Sequence, residues 1–279
     1  MSPQSTVRQE TVRSADGTVI AFERRGNGPP LIYVGGATMT RKSDRDLPPL
    51  LAERFTVYSY DRRGRGDSGD PLPPGAPARN EEESAAREVE DIAALIAEAG
   101  GSAALYGMSS GAVLALEATT SGLPVTKLAL YEAPFGEDSP EQRKAAGEYA
   151  TKLIELLSAG RPGDAMALFI ASTGTPSEMI DQMRSGPHWP AMEAVAPSLA
   201  YDSAVMRNVA RGGAVPTESL GSVTVPTLAM SGGDSPAFFG AAAQRIAEGV
   251  KNGVHLVLPG QTHFVDTAVL APALIDFLA

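Results

Sequence analysis

The chain has 279 residues, 43% hydrophobic and 20% charged, the composition of an ordinary folded globular protein with room for a sizeable core. Its net charge of −10 argues against nucleic acid or an anionic membrane surface as a main partner, because both require basic patches. It contains no cysteine, which excludes disulfides, thiolate metal sites and a cysteine nucleophile.

In chain order, Met1 to Glu10 is polar and lacks an apolar segment, so no secretory signal is expected. No run of about 18 apolar residues occurs, so no membrane span is expected and a cytoplasmic location is the default. Glu10 to Arg13 and Thr18 to Arg25 flank Ala15-Asp16-Gly17, a hairpin signal. Leu31 to Val34 is an apolar strand running into Gly35-Gly36. Leu47 to Arg54 reads as a short helix and Phe55 to Tyr60 as the next strand. The arginine-rich segment Asp61 to Gly69 and a proline-rich loop, Pro71 to Pro77, follow. Glu81 to Ala99 is a long helix with acidic residues at its start and Val89, Ile92, Leu95 and Ile96 on one face. Thr126 to Tyr131 is a strand ending in Glu132, and Glu137 to about Gly213 holds helical stretches but no convincing strand. Val223 to Ser231 and Val254 to Leu258 are strands around a helix at Ala237 to Glu248, and Thr267 to Leu278 closes the chain as a helix. Strands alternating with helices predict an α/β protein with a mostly parallel sheet covered on both faces.

The most informative stretch is Gly107-Met108-Ser109-Ser110-Gly111, a G-x-S-x-G between an apolar strand (Ala103 to Tyr106) and a good helix former (Ala112 to Ala118). Side chains at 107 and 111 would collide with the neighbouring strand and helix, and glycine removes both collisions. The turn thereby exposes the Ser109 hydroxyl at the sheet's carboxyl edge. The helix start behind it favours developing negative charge. The alternative reading of the pentapeptide is a glycine-rich turn carrying an incidental serine.

The chain resembles the α/β-hydrolase superfamily, and the resemblance covers nearly all of it. It is carried by Gly35-Gly36-Ala37, Tyr60-Asp61-Arg62-Arg63-Gly64, the Ser109 elbow and the late histidine of Gly260-Gln261-Thr262-His263, in that order. The resemblance implies an eight-stranded, mostly parallel sheet flanked by helices, with residues 1–135 and 216–279 as the core and 136–215 as an inserted helical cap.

A serine hydroxyl is a poor nucleophile without a base in hydrogen-bond reach. Three histidines are available: His188, His255 and His263. His255 lies in an apolar strand pattern and reads as a structural or surface residue, while His188, between Pro187 and Trp189, reads as a pocket wall or surface residue. His263 occupies the loop where the resemblance places the catalytic base. The base needs an acid to orient it and stabilise its charged form. The usual family pattern of glycine, two residues, then aspartate, counted from Gly232, puts Ser235 in the acid's slot and Asp234 one residue early. Glu132, at a strand end, is the competitor; some branches, including lactone hydrolases that open zearalenone, place their acid there. A buried carboxylate there needs a partner such as a positioned histidine, and Glu132 is favoured, with Asp234 left open. The resemblance assigns the oxyanion hole to the backbone N–H of Ser110 and a second N–H from Ala37, with Gly36 as neighbour. Arg62 to Gly69 reads as a structural loop whose arginines pair with Asp61, Asp67 and Asp70.

The methionines and aromatics of 136–215 read mainly as packing between cap and sheet. Where they face the cleft, Trp189, His188, Met192 and Met183 are the candidate substrate contacts, giving an apolar, adaptable pocket. No cofactor is implied: there is no phosphate-binding glycine fingerprint, and the histidines are too dispersed for a metal site. The expected partner is a small-molecule substrate, and the sequence leaves a homodimer open. The expected activity is serine hydrolysis of a medium-sized hydrophobic carboxylic ester or lactone. The alternatives are an acyl transferase, lyase or cyclase on the same constellation, or a silent ligand-binding member. Epoxide hydrolases and haloalkane dehalogenases resemble this fold but carry aspartate where Ser109 stands.

Overall fold

A computed structural model describes residues 8–279, so the polar stretch Met1 to Glu10 lies largely outside the described residues. Eight strands form one sheet in the order β1-β2-β4-β3-β5-β6-β7-β8. They are β1 (Arg8–Arg13), β2 (Val19–Arg25), β3 (Pro30–Val34), β4 (Thr56–Tyr60), β5 (Ala103–Met108), β6 (Val125–Tyr131), β7 (Thr227–Gly232) and β8 (Gly253–Leu258). Only β2 runs against its neighbours, pairing antiparallel with β1 and β4; the others are parallel.

Alternation along the strands sends side chains to two covered faces. In β3, Ile32 and Val34 join a core built with the helices α3 (Glu81–Glu98), α4 (Ser110–Thr120) and α12 (Ala237–Gly249). Leu31 and Tyr33 join the opposite core, under α1 (Leu47–Leu51) and α13 (Thr267–Leu278). The expected strand from Val223 begins only at Thr227, because Pro226 has no N–H to give to the ladder. The proline-rich loop contains a short helix, α2 (Ala76–Arg79), started by Pro77.

Between β6 and β7 the chain is helical: α5 (Pro140–Ser158), α6 (Pro162–Ser172), α7 (Ser177–Arg184), α8 (Trp189–Val195), α9 (Leu199–Met206), α10 (Asn208–Arg211) and α11 (Thr217–Leu220). The segment leaves and returns at one point, where Gly136 bridges Ala214 and donates its N–H to the Gly213 carbonyl at 3.0 Å. It has its own apolar core, including Leu153, Met166, Trp189 and Leu199, and that core extends to Ala37 in the loop after β3. Helix α9 packs on α2, α3 and α4, which seats the inserted helices on the sheet domain.

The arginine-rich loop after β4 pairs differently from the sequence expectation. Arg62 chelates Glu88 of α3, at 2.7 and 2.5 Å, and Arg63 chelates Asp91, at 2.8 and 2.6 Å. Asp61 and Asp67 are instead taken by Arg41, and Asp70 accepts the Tyr201 hydroxyl. The reason is proximity across the fold: α3 offers two carboxylates inside the protein, where a guanidinium must be paired. The Arg63–Asp91 pair is fully buried, and Arg63 also reaches Asp16 at 3.0 Å, so Asp91→Ala, which leaves the buried guanidinium with Asp16 as its one carboxylate partner, is expected to lower unfolding stability by about 2 kcal/mol in urea titration.

Candidate active site

The turn from β5 to α4 confirms the steric reason for its glycines. A Cβ on Gly107 would lie 2.4 Å from the Gly111 carbonyl oxygen, and one on Gly111 would lie 2.2 Å from that of Val34. Ser109 between them has φ 56° and ψ −128°, a conformation that costs energy for a residue with a side chain. Among the described residues only four non-glycine residues have positive φ, and three of them, Thr38, Ser109 and Glu132, surround this turn. Such strain persists only where surrounding structure imposes it, and it concentrates at working sites.

Glu132 follows β6 and is fully buried, with its N–H on the Met230 carbonyl at 3.0 Å. One carboxylate oxygen accepts the Gly232 N–H at 2.7 Å, and the other lies 2.7 Å from His263 Nδ1. Burial pushes the Glu132 pKa up, but the bond to His263, the nearby Ser235 hydroxyl and the Gly232 N–H outweigh it and hold the carboxyl below its ordinary value. An ionised carboxylate only accepts, so Nδ1 carries a proton, and in the neutral imidazole this leaves the lone pair on Nε2. Two contacts fix the histidine from other sides: Tyr131 donates its hydroxyl to the Thr262 carbonyl at 2.6 Å, and the Phe239 ring stacks on the imidazole at 5.0 Å between centroids. Ser109 and His263 are both half-buried, and no hydrogen bond joins them.

Asp234, the other acid considered, stands apart. It is exposed in the turn after β7, and its backbone N–H, rather than its carboxylate, makes the recorded contact, to the Gln261 carbonyl at 2.9 Å. The offset is physical: the turn carries that side chain outward, while the strained backbone of Glu132 directs its carboxylate at His263.

The loop after β3 approaches the serine closely, since a Cβ on Gly36 would sit 3.1 Å from Ser109 Cβ. The Gly36 N–H is occupied by the Met39 sulfur at 3.3 Å, which removes Gly36 as an oxyanion donor. The Ala37 N–H makes no hydrogen bond among the described residues. Ser110 is the first residue of α4, where N–H groups have no intrahelical acceptor.

The four residues considered as substrate contacts lie on α7 and α8 of the inserted helices. Trp189 is buried in the core of the inserted helices, with Arg184 over its ring at 5.6 Å, and Met183 and Met192 pack against that core. His188 is exposed at the start of α8. His255 is exposed on the edge strand β8. Sequence reasoning missed Tyr131 and Phe239 as supports of His263, and Asp202, which reaches Ser110 from α9; no motif marks them, since their roles arise from contacts across the fold. Among the described residues no cluster of three His, Asp or Glu side chains forms a metal site, and no helix is long and apolar enough to cross a membrane.

Residues 31–272 match the alpha/beta hydrolase family. The structure is similar to that of an alpha/beta hydrolase from Sphaerobacter thermophilus DSM 20745, with 45% identity, 97% of this chain and 100% of that one covered, and a TM-score of 0.82. It is also similar in fold to a thermophilic esterase from Thermogutta terrifontis, with 21% identity, 97% and 98% coverage and a TM-score of 0.71. A stretch of 73 residues is 38% identical to the probable oxidoreductase EphD of Mycobacterium tuberculosis; it covers 25% of this chain and only 12% of that protein.

If Glu132 is ionised and paired as described, its contribution to stability is present above the ordinary carboxylate pKa of about 4.3 and fades as pH falls through its lower folded value. Denaturation midpoints of the wild type and Glu132→Gln should therefore differ most near neutral pH and converge toward pH 3. A gap that is constant with pH would contradict the ionised pairing.

Proposed function

The chain belongs to the alpha/beta hydrolase family, and from that premise we propose a serine hydrolase that cleaves a hydrophobic carboxylic ester or lactone through an acyl-enzyme. The observation that carries the reading is the Glu132–His263 contact at 2.7 Å beside a serine held at positive φ. Ser109 is the nucleophile. His263 Nε2 takes its proton and returns it to the leaving alcohol or alkoxide, and Glu132 steadies the imidazolium formed between. The Ala37 and Ser110 N–H groups receive the oxyanion, aided by the start of α4. Water, activated by the same histidine, then releases the acyl group. Residues 136–215 act as a cap whose apolar core borders the oxyanion loop at Ala37, and this supports a hydrophobic acyl or alcohol part. The substrate is a small molecule and no cofactor takes part.

Wild-type protein is expected to react with an alkyl fluorophosphonate and to hydrolyse short p-nitrophenyl esters, and Ser109→Ala to do neither. Labelling without turnover would favour an acyl transferase, and no labelling would refute the acyl-enzyme. Glu132→Gln, which loses the charge but keeps the shape, should lower kcat by about 10³- to 10⁴-fold, as amide replacement of a triad acid does elsewhere; the corresponding Asp234→Asn should leave kcat unchanged in the same assay.

A further inference from the structure

One carboxylate from the inserted helices reaches both sides of the proposed oxyanion hole. Asp202, on α9, is buried, and each of its carboxylate oxygens accepts from Arg65 Nη2 at 2.8 Å. It also accepts the Ser110 hydroxyl at 2.7 Å and Arg62 Nη1 at 2.9 Å. The other arm of Arg65 donates from Nη1 to the Gly36 carbonyl at 2.6 Å. In a trans peptide the carbonyl and the following N–H point in opposite directions. Anchoring the Gly36 carbonyl on a buried guanidinium therefore turns the Ala37 N–H the other way. The same charge-assisted bond polarises the peptide unit and strengthens its N–H as a donor.

Packing alone does not account for this arrangement. Arg62, Arg65, Glu88 and Asp202 are all buried, and apolar residues of similar volume fill such a space at least as stably. Arg65 Nε has no hydrogen-bond partner, so the guanidinium is accepted there with part of its hydrogen-bonding unmet. What an apolar residue could not supply is the grip on the Gly36 carbonyl and on the Ser110 hydroxyl.

We propose that Asp202 is a positioning residue for the oxyanion hole: through Arg65 it fixes the Gly36–Ala37 peptide, and through the Ser110 hydroxyl it fixes the first residue of α4. The inserted helices thus complete the machinery for charge stabilisation as well as covering it. This rests on the acyl-enzyme reading of Ser109.

The test is the rate constant and the end point of labelling by an alkyl fluorophosphonate, whose phosphoryl oxygen gains charge in the same hole, together with kcat and KM on a p-nitrophenyl ester. Arg65→Lys keeps the charge but cannot chelate Asp202 and hold Gly36 together, and Asp202→Asn keeps the shape. Both are expected to slow labelling by about 10- to 100-fold, below the 10²- to 10³-fold cost of deleting a donor outright. Ser110→Ala, which leaves every ion pair in place, should slow it about threefold to tenfold on the same scale. In each case the end point should stay at one label per chain, with the loss in kcat rather than KM. Should the two charge variants fail to fold, Ser110→Ala decides the matter. Labelling of the folded variants at the wild-type rate, or a deficit confined to the end point, would overturn the proposal and leave Asp202 a structural tie. A wild type that does not label at all would refute the acyl-enzyme reading itself.

Discussion

A carboxylate with no exposure to water, held at φ 47° on the end of a central strand, is a cost that a fold bears only if something returns it. For Glu132 the return comes from three contacts at once. Its N–H is bonded to Met230 of β7, one oxygen takes the N–H of Gly232, the last residue of that strand, and the other takes His263 from the loop after β8. The carboxylate therefore ties together the ends of three sheet elements, and the histidine is located by the same contact that fixes its tautomer. Tyr131, one residue earlier, holds the histidine loop through Thr262, so the backbone turn at Glu132 and the ring of His263 are set by adjacent residues of one strand end.

A second buried electrostatic system lies on the other side of the serine. Arg62 and Arg63 run inward from the loop after β4 to two carboxylates of α3, and Arg62 and Arg65 continue to Asp202 on α9. Two cations and two anions, Arg62, Arg65, Glu88 and Asp202, thus share one enclosed space without net charge. The inserted helices reach the sheet domain through this ionic contact in addition to their apolar core, and it bears on the two loops that adjoin Ser109. On the proposed function, proton transfer is organised from the Glu132 side and charge stabilisation from the Asp202 side, with the strained Ser109 turn between them.

Much of this was legible in the sequence because it depends on local chemistry. The elbow glycines, the β3 apolar run into Gly35-Gly36 and the alternation of strands with helices are constraints that neighbouring residues impose on one another. Glu132 was legible as a candidate because a carboxylate ending an apolar strand must find a partner. Asp234 could not be set aside from sequence, since the direction in which a turn carries a side chain depends on a φ and ψ that no spacing encodes. The arginine pairings were misread for a related reason: near neighbours such as Asp61 and Asp67 are obvious partners in sequence, yet Arg41 takes them, while Arg62, Arg63 and Arg65 pair with carboxylates brought close only by folding. Trp189 illustrates the limit of reading an aromatic from its context, because the same residue would suit a cleft wall or the packed interior it in fact occupies.

The most direct test of the account is a crystal structure of the wild-type protein after reaction with an alkyl fluorophosphonate. The expected structure has a phosphorus bonded to Ser109 Oγ, its non-bridging oxygen within hydrogen-bond distance of the Ala37 and Ser110 nitrogens, and His263 Nε2 turned to the serine oxygen while Nδ1 stays on Glu132. A phosphoryl oxygen facing away from both nitrogens, or a histidine that has left Glu132 for Asp234, would contradict it.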